Sequence, residues 1–256
     1  MADLAFAENG IDGIFLGAFK DLAYSVLRSL PSDTDSNDTT IPNSVHTIAT
    51  QLNREFARLS YVVEVIQARL HEDPAWVTTA IRAYELLTVF IDDDFTHPDP
   101  QMQGLRGAFL IRYQLMRACQ VQFGEMMRME VWSLGFIDFL GQLCNTGRIT
   151  SLTPGIALNV MEGMVCSGHL ALHDNFDLLV GFVLRAGPFL DTQTQQFRDL
   201  LTEKVQQLRQ RTNNISISMQ MAVYGIMQLR EKGWLMEQLD GGTAQQDPMS
   251  MVRWSP

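Results

Sequence analysis

The chain has 256 residues, 46% of them hydrophobic, and a formal net charge of -10, enough apolar material for one large domain or two small ones. No run of about 18 apolar residues passes without a polar interruption, which argues against a membrane-spanning helix, and the opening MADLAFAENGIDGIF lacks the basic segment that begins a secretory signal. Residues 1–100 hold 16 acids against 6 bases while residues 101–256 hold 13 of each, so the first part is a poor face for nucleic acid. Cys119, Cys144 and Cys166 are odd in number and sit within apolar helical patterns, so the expectation is free thiols in a reducing compartment, cytoplasm or nucleus.

In chain order, Ile11, Phe15, Phe19, Leu22, Val26 and Leu30 step by three and four, which predicts an amphipathic helix ended by Pro31. The polar stretch PSDTDSNDTTIPN has no periodicity and reads as an acidic mobile loop, so 1–43 forms an N-terminal helix plus loop. From Val45 to Leu70 an unbroken stripe of fours and threes predicts a single long helix over 44–71. Asp73 and Pro74 form an N-cap and first-turn pair for a helix carrying Ile81, Tyr84, Leu87 and Val89, which ends at Asp92, Asp93 and Asp94. FTHPDPQMQG is a proline-interrupted connection to a helix over 104–129.

Residues 131–164 read as an apolar helix hairpin. Gly135 and Gly141 belong where another backbone comes close, Gly147 stops the first helix, and Thr153 with Pro154 starts the second. Gly168 ends that helix; Asn175 begins another, stopped at Gly187 and Pro188; Thr192 and Gln195 then read as a capping box for a helix over 193–211. A last helix over 215–232 has Gly233 at its C-cap and Trp234 just beyond, and 236–256 reads as a loose tail. Glycines 147, 168 and 187 are 21 and 19 residues apart, one helix plus one turn each. A hairpin too apolar to bury its own surface needs neighbours on both sides, and the predicted fold is all-α: a right-handed α-solenoid of HEAT-like antiparallel helix pairs over 44–235.

No phosphate-cradling glycine loop with lysine, no G-x-S-x-G turn and no C-x-x-C pair occurs, so no catalytic residue or cofactor is expected. His169 and His173, with Asp174 and Asp177 beside them, have metal-like spacing but straddle the turn after Gly168, and no metal site is assigned. Asp138, alone in an apolar helix, reads as a satisfied boundary carboxylate rather than a tuned acid. Arg106, Arg117 and Arg128 are 11 apart, three helical turns, so on the helix over 104–129 all three point the same way and form a basic stripe over roughly 33 Å for RNA or an acidic partner. Methionine is dense at 126–129 and 219–221 and reads chiefly as core filling.

Four stretches carry a family resemblance. LSYVVEVIQARLHEDPAWVTTAI at 59–81, FLIRYQLMRACQVQFGE at 109–125, WSLGFIDFLGQLCNTGRIT at 132–150 and SMQMAVYGIMQLREKGW at 218–234 resemble, in order, segments of the middle domain of eukaryotic initiation factor 4G, a family of helical-repeat scaffolds. The chain departs from that family in its added helix at 11–30, its acidity, and a single helix over 44–71 where the family often has two. The resemblance implies a small, single-domain, non-enzymatic adaptor in translation or mRNA metabolism. Its expected partner is a DEAD-box helicase of the initiation factor 4A class or another mRNA-bound factor: poly(A)-binding protein, the cap-binding complex or the histone stem-loop-binding protein. RNA is expected as a weak ligand at most, and a homodimer is compatible with the pattern. Arg230 and Trp234 match the family's terminal motif and are the implied partner-binding residues.

Overall fold

The computed structural model describes residues 10–32, 39–146, 150–213 and 215–235. Among them are ten α-helices and two short 3-10 turns, and the one extended pairing is an isolated bridge between Thr96 and Arg106. The chain divides into two compact units, Met1–Leu152 and Thr153–Pro256. The hairpin expected at 131–164 is therefore split, its first helix in one unit and its second in the other.

The first unit holds α1 (Gly10–Ser29), α2 (Thr40–Gln51), α3 (Phe56–Glu72), α4 (Val77–Phe90), α5 (Ala108–Met129) and α6 (Leu134–Leu143). Helices pack on the next but one in sequence as well as on neighbours: α1 on α3, α2 on α4, α3 on α5 and α4 on α6. Such stacking is how a repeat array buries faces that one helix pair leaves open. Leu59, Ile66, Leu70, Trp76, Tyr84, Phe136 and Phe139 are all buried at its centre. A Cβ at Gly135 would overlap the Leu70 carbonyl oxygen and lie 3.0 Å from the Pro74 Cα, so the missing side chain lets α6 cross the end of α3. The second unit repeats the scheme with α7 (Pro154–Cys166), α8 (His173–Asp191), α9 (Gln195–Thr212) and α10 (Ile217–Glu231): α7 packs on α8 and α9, and α10 on α8 and α9.

Several expectations are corrected. The helix over 44–71 is two helices, because Asn53 and Arg54 take left-handed φ values of 50° and 58°. The stripe ran through the break because Val45 on α2 and Leu52 just past its end, like Leu59, Val63, Ile66 and Leu70 on α3, are all buried; a short link can preserve helical phase. Helix α2 begins at Thr40, inside the segment read as loop, of which 33–38 lie outside the described residues. Gly187 and Pro188 do not stop α8, which continues to Asp191 with Pro188 inside it. Proline disfavours the helical conformation of the preceding residue through that residue's Cβ, and glycine has none. No capping box forms: the Thr192 hydroxyl donates back to the Phe189 carbonyl at 2.7 Å, and the N-cap of α9 is Thr194. Asp73 does cap the turn into α4, accepting from the Ala75 amide at 3.2 Å, and Ser133 and Thr153 cap α6 and α7. Gly147 and the tail 236–256 lie outside the described residues.

Candidate partner-binding surfaces

The end of α10 is shaped by its last three residues. Gly233 at φ 70° donates to the Arg230 carbonyl at 2.9 Å and Trp234 to the Leu229 carbonyl at 2.7 Å, the double closure of a Schellman motif. That turn lays the indole over Gly187 of α8, where a Cβ would overlap the ring, and the indole N–H donates to Asp191 Oδ2 at 2.7 Å. Arg230 grips the same carboxylate through Nε at 2.9 Å and Nη2 at 2.8 Å, while Nη1 donates to Thr202 Oγ1 at 2.8 Å and Nη2 to the Arg198 carbonyl at 3.0 Å. The two ionic side chains are only 19% and 20% exposed.

Arg230 and Trp234, expected as partner anchors, are thus directed into their own unit, where they tie α10 to α8 and α9. Every guanidinium nitrogen of Arg230 donates inward. Asp191, the hub of this arrangement, went unremarked in the sequence because a lone acid at a helix end carries no pattern. The nearest signal was Gly187, read as a stop although its role is to admit an aromatic ring.

The outward face of α10 is different. Ile217, Met221 and Tyr224 follow at steps of four and three and are 80%, 57% and 55% exposed. Met221 and Tyr224, with Arg209, Asn213, Gln220 and Met227, border a shallow groove of about 230 Å³. The methionine-dense stretch at 219–221 therefore divides, with Met219 in the core and Met221 on this face.

The basic stripe loses a member. Arg106 lies before α5, in the bridge to Thr96, and Gly107 at φ 51° separates it from the helix. Arg117 and Arg128 are exposed on α5, about 16 Å apart by helical rise. Three arginines evenly spaced in sequence are thus two on a helix and one on a turn. Asp138 accepts from Gln142 at 2.9 Å, as a boundary carboxylate should. His169 lies in the turn before α8, the side chain of His173 is outside the described residues, and among those described no group of three His, Cys, Asp or Glu is placed to hold a metal ion.

Taken together, the stacked helices and these faces define an all-α helical-repeat protein. No protein-family model matches the chain, and no curated protein sequence does.

Proposed function

We propose that the chain is a non-enzymatic adaptor of translation or mRNA metabolism, which holds a DEAD-box helicase of the initiation factor 4A class or another mRNA-bound factor. The observation that carries the reading is the two-sided closing helix. One side of α10 is fastened by Arg230 and Trp234, and the other leaves Ile217, Met221 and Tyr224 uncovered. A rigid helix with an aromatic and a methionine on its open face suits a protein contact, because a few such anchors dominate interface energy. The ordered motifs over 59–234 support the same family resemblance, and so does the break at Asn53 and Arg54, which supplies two helices where the sequence suggested one.

The anchor role moves accordingly from Arg230 and Trp234 to the residues beside them. Size-exclusion chromatography of the purified chain with a recombinant helicase of that class should show a stoichiometric complex. Met221→Asp combined with Tyr224→Ala should weaken it by about tenfold or more, the loss expected of a hot spot, with the melting temperature unchanged. Absence of a complex with the helicase, and with poly(A)-binding protein, cap-binding complex and stem-loop-binding protein in turn, would overturn the proposal.

A further inference from the structure

The open face of α10 has a charge as well as a shape. Residues 204–230 hold four bases and no acid, in a chain whose net charge is -10. The four bases are not equivalent. Lys204 pairs with Glu162 at 3.1 Å and Glu203 at 3.6 Å, and Arg230 pairs with Asp191. Arg211 meets the Val165 and Ser167 carbonyls and, among the described residues, no carboxylate. Arg209 is exposed and outside the hydrogen bonds and ion pairs of the described residues. Two positive charges therefore stand without an acid at the end of α9, and one of them, Arg209, borders the groove.

The groove lies where α9 and α10 pack on each other within the second unit. The Gln220 amide donates to the Asn213 carbonyl at 2.9 Å, which fixes the start of α10 against the end of α9 before any partner arrives. Among the described residues Arg209 is the one charged group on its border; the rest is Met221, Met227, the Tyr224 ring and two amides. At about 230 Å³ the groove is smaller than the roughly 300 Å³ at which enclosed ligand pockets begin. It suits one or two side chains of a longer segment lying on the surface. From Ile217 to Tyr224 the exposed row runs seven residues, about 10 Å by helical rise, and that length matches the i to i+7 spacing of the apolar face on an amphipathic partner helix.

From the unpaired Arg209 beside this apolar row we infer that the α9–α10 face receives an acidic amphipathic helix of a partner protein, with its apolar side chains on Met221 and Tyr224 and a carboxylate on Arg209. The inference rests on the reading of that face as a partner surface and adds the chemistry of the partner. A guanidinium favours a carboxylate because its parallel N–H donors match the two oxygens, and methionine adapts to the side chains of a helix. A basic segment would bring like charge against Arg209 and Arg211, which is costly at an interface. Nucleic acid suits the face less well. Of Ile217, Met221 and Tyr224, only the tyrosine ring offers a base a stacking platform.

The test uses the full chain and a fluorescein-labelled peptide, Asp-Glu-Leu-Leu-Asp-Glu-Phe-Leu-Asp-Glu-amide, read by fluorescence anisotropy at about 50 mM salt, where screening is weak. A second peptide carries asparagine and glutamine in place of the acids, which keeps the shape and removes the charge. The expected result is saturable binding of the acidic peptide and about fivefold weaker binding of its amide counterpart, the scale of one exposed charge pair. Arg209→Gln should bring the acidic peptide down to the affinity of the amide peptide with the melting temperature unchanged, because the Arg209 side chain bonds to no other described residue. Met221→Ala with Tyr224→Ala should weaken both peptides, which places them on this face. No saturable binding, equal affinity of the native chain for the two peptides, an Arg209→Gln chain that still separates them by the full factor, or tighter binding of a lysine-for-acid peptide or of oligouridylate would each overturn the inference. Peptide discrimination without a helicase complex would keep it and remove the helicase assignment; a helicase complex without peptide discrimination would do the reverse.

Discussion

Arg58, Arg69 and Arg211 perform a task that charge counting does not suggest: each caps the C-terminal end of another helix. Arg58 on α3 donates to the Gln51 carbonyl that ends α2, at 2.7 Å. Arg69, also on α3, donates to the Leu27 and Leu30 carbonyls at the end of α1 and lies over the Trp76 ring at 4.3 Å. Arg211 on α9 closes α7 through the Val165 and Ser167 carbonyls. The last carbonyls of a helix have no partner within it and carry the negative end of the helix dipole, so a guanidinium satisfies both demands. Arg69 is buried, and burial lowers its pKa from the usual value while Asp73 opposes the change. Arg69→Met should lower the unfolding free energy by about 2 to 4 kcal/mol in chemical denaturation, since it leaves two carbonyls unpartnered. The thiols make a second prediction at this scale. Burial pushes Cys119 and Cys144 up to about 12, whereas Cys166 is exposed. A thiolate is the reactive species, so a disulfide-exchange reagent at neutral pH should titrate Cys166 rapidly in the native protein and the other two only after unfolding.

Whether an element was legible depended on whether its ends carried their own chemistry. The entry to α4 was readable because an Asp-Pro pair both caps and starts a turn, and the exit of α10 because Gly233 can adopt a positive φ. The gap between α2 and α3 had no such mark. Asn53 and Arg54 are not glycine, and the apolar stripe continued in phase across them, so periodicity joined what the backbone separates. What holds the gap is distant in sequence: Arg54 pairs with Asp92 at 2.6 Å and with Asp94 at 3.7 Å. Asp92 is held below the usual carboxylate range first by the Asp94 amide and then by Arg54. Its contribution is therefore present at neutral pH and is lost as pH falls through that lowered value. At Asn53, alanine meets the left-handed backbone with a Cβ penalty and glycine does not. Asn53→Ala should thus cost about 1 kcal/mol of stability, while Asn53→Gly should be near neutral. Equal losses for both would place the strain elsewhere. The exposed face of α10 was harder still to see in sequence, since Met219 and Met221 are identical residues two positions apart with opposite fates.

For the whole chain, charge and helical repeat point in the same direction. Arginines that a count would offer to phosphates are partly consumed in capping helices, and the stripe expected at Arg106, Arg117 and Arg128 retains only two members on α5. Binding to single-stranded RNA releases counterions in proportion to the phosphates neutralised, with a log–log slope of about -0.7 per contact. Two contacts give a slope near -1.4, and filter binding over a salt series should show weak affinity with about that dependence. A slope twice as steep would mean that a further basic surface takes part. The acidity of residues 1–100 acts the other way, favouring basic segments of proteins over nucleic acid.

The fastening of α10 also has a consequence in time. Asp191 meets the Trp234 indole across a separation of 43 residues, and chains are synthesised at about 5 to 20 residues per second. Dividing one by the other, the carboxylate waits on the order of 2 to 9 s for its partners to be made. During that interval α7 and α8 exist without the helix that closes them, and the apolar surface around Gly187 is open to chaperones and proteases. A substitution at Trp234 would prolong that vulnerable period, so its first sign in a cell would be a lower yield of newly made protein.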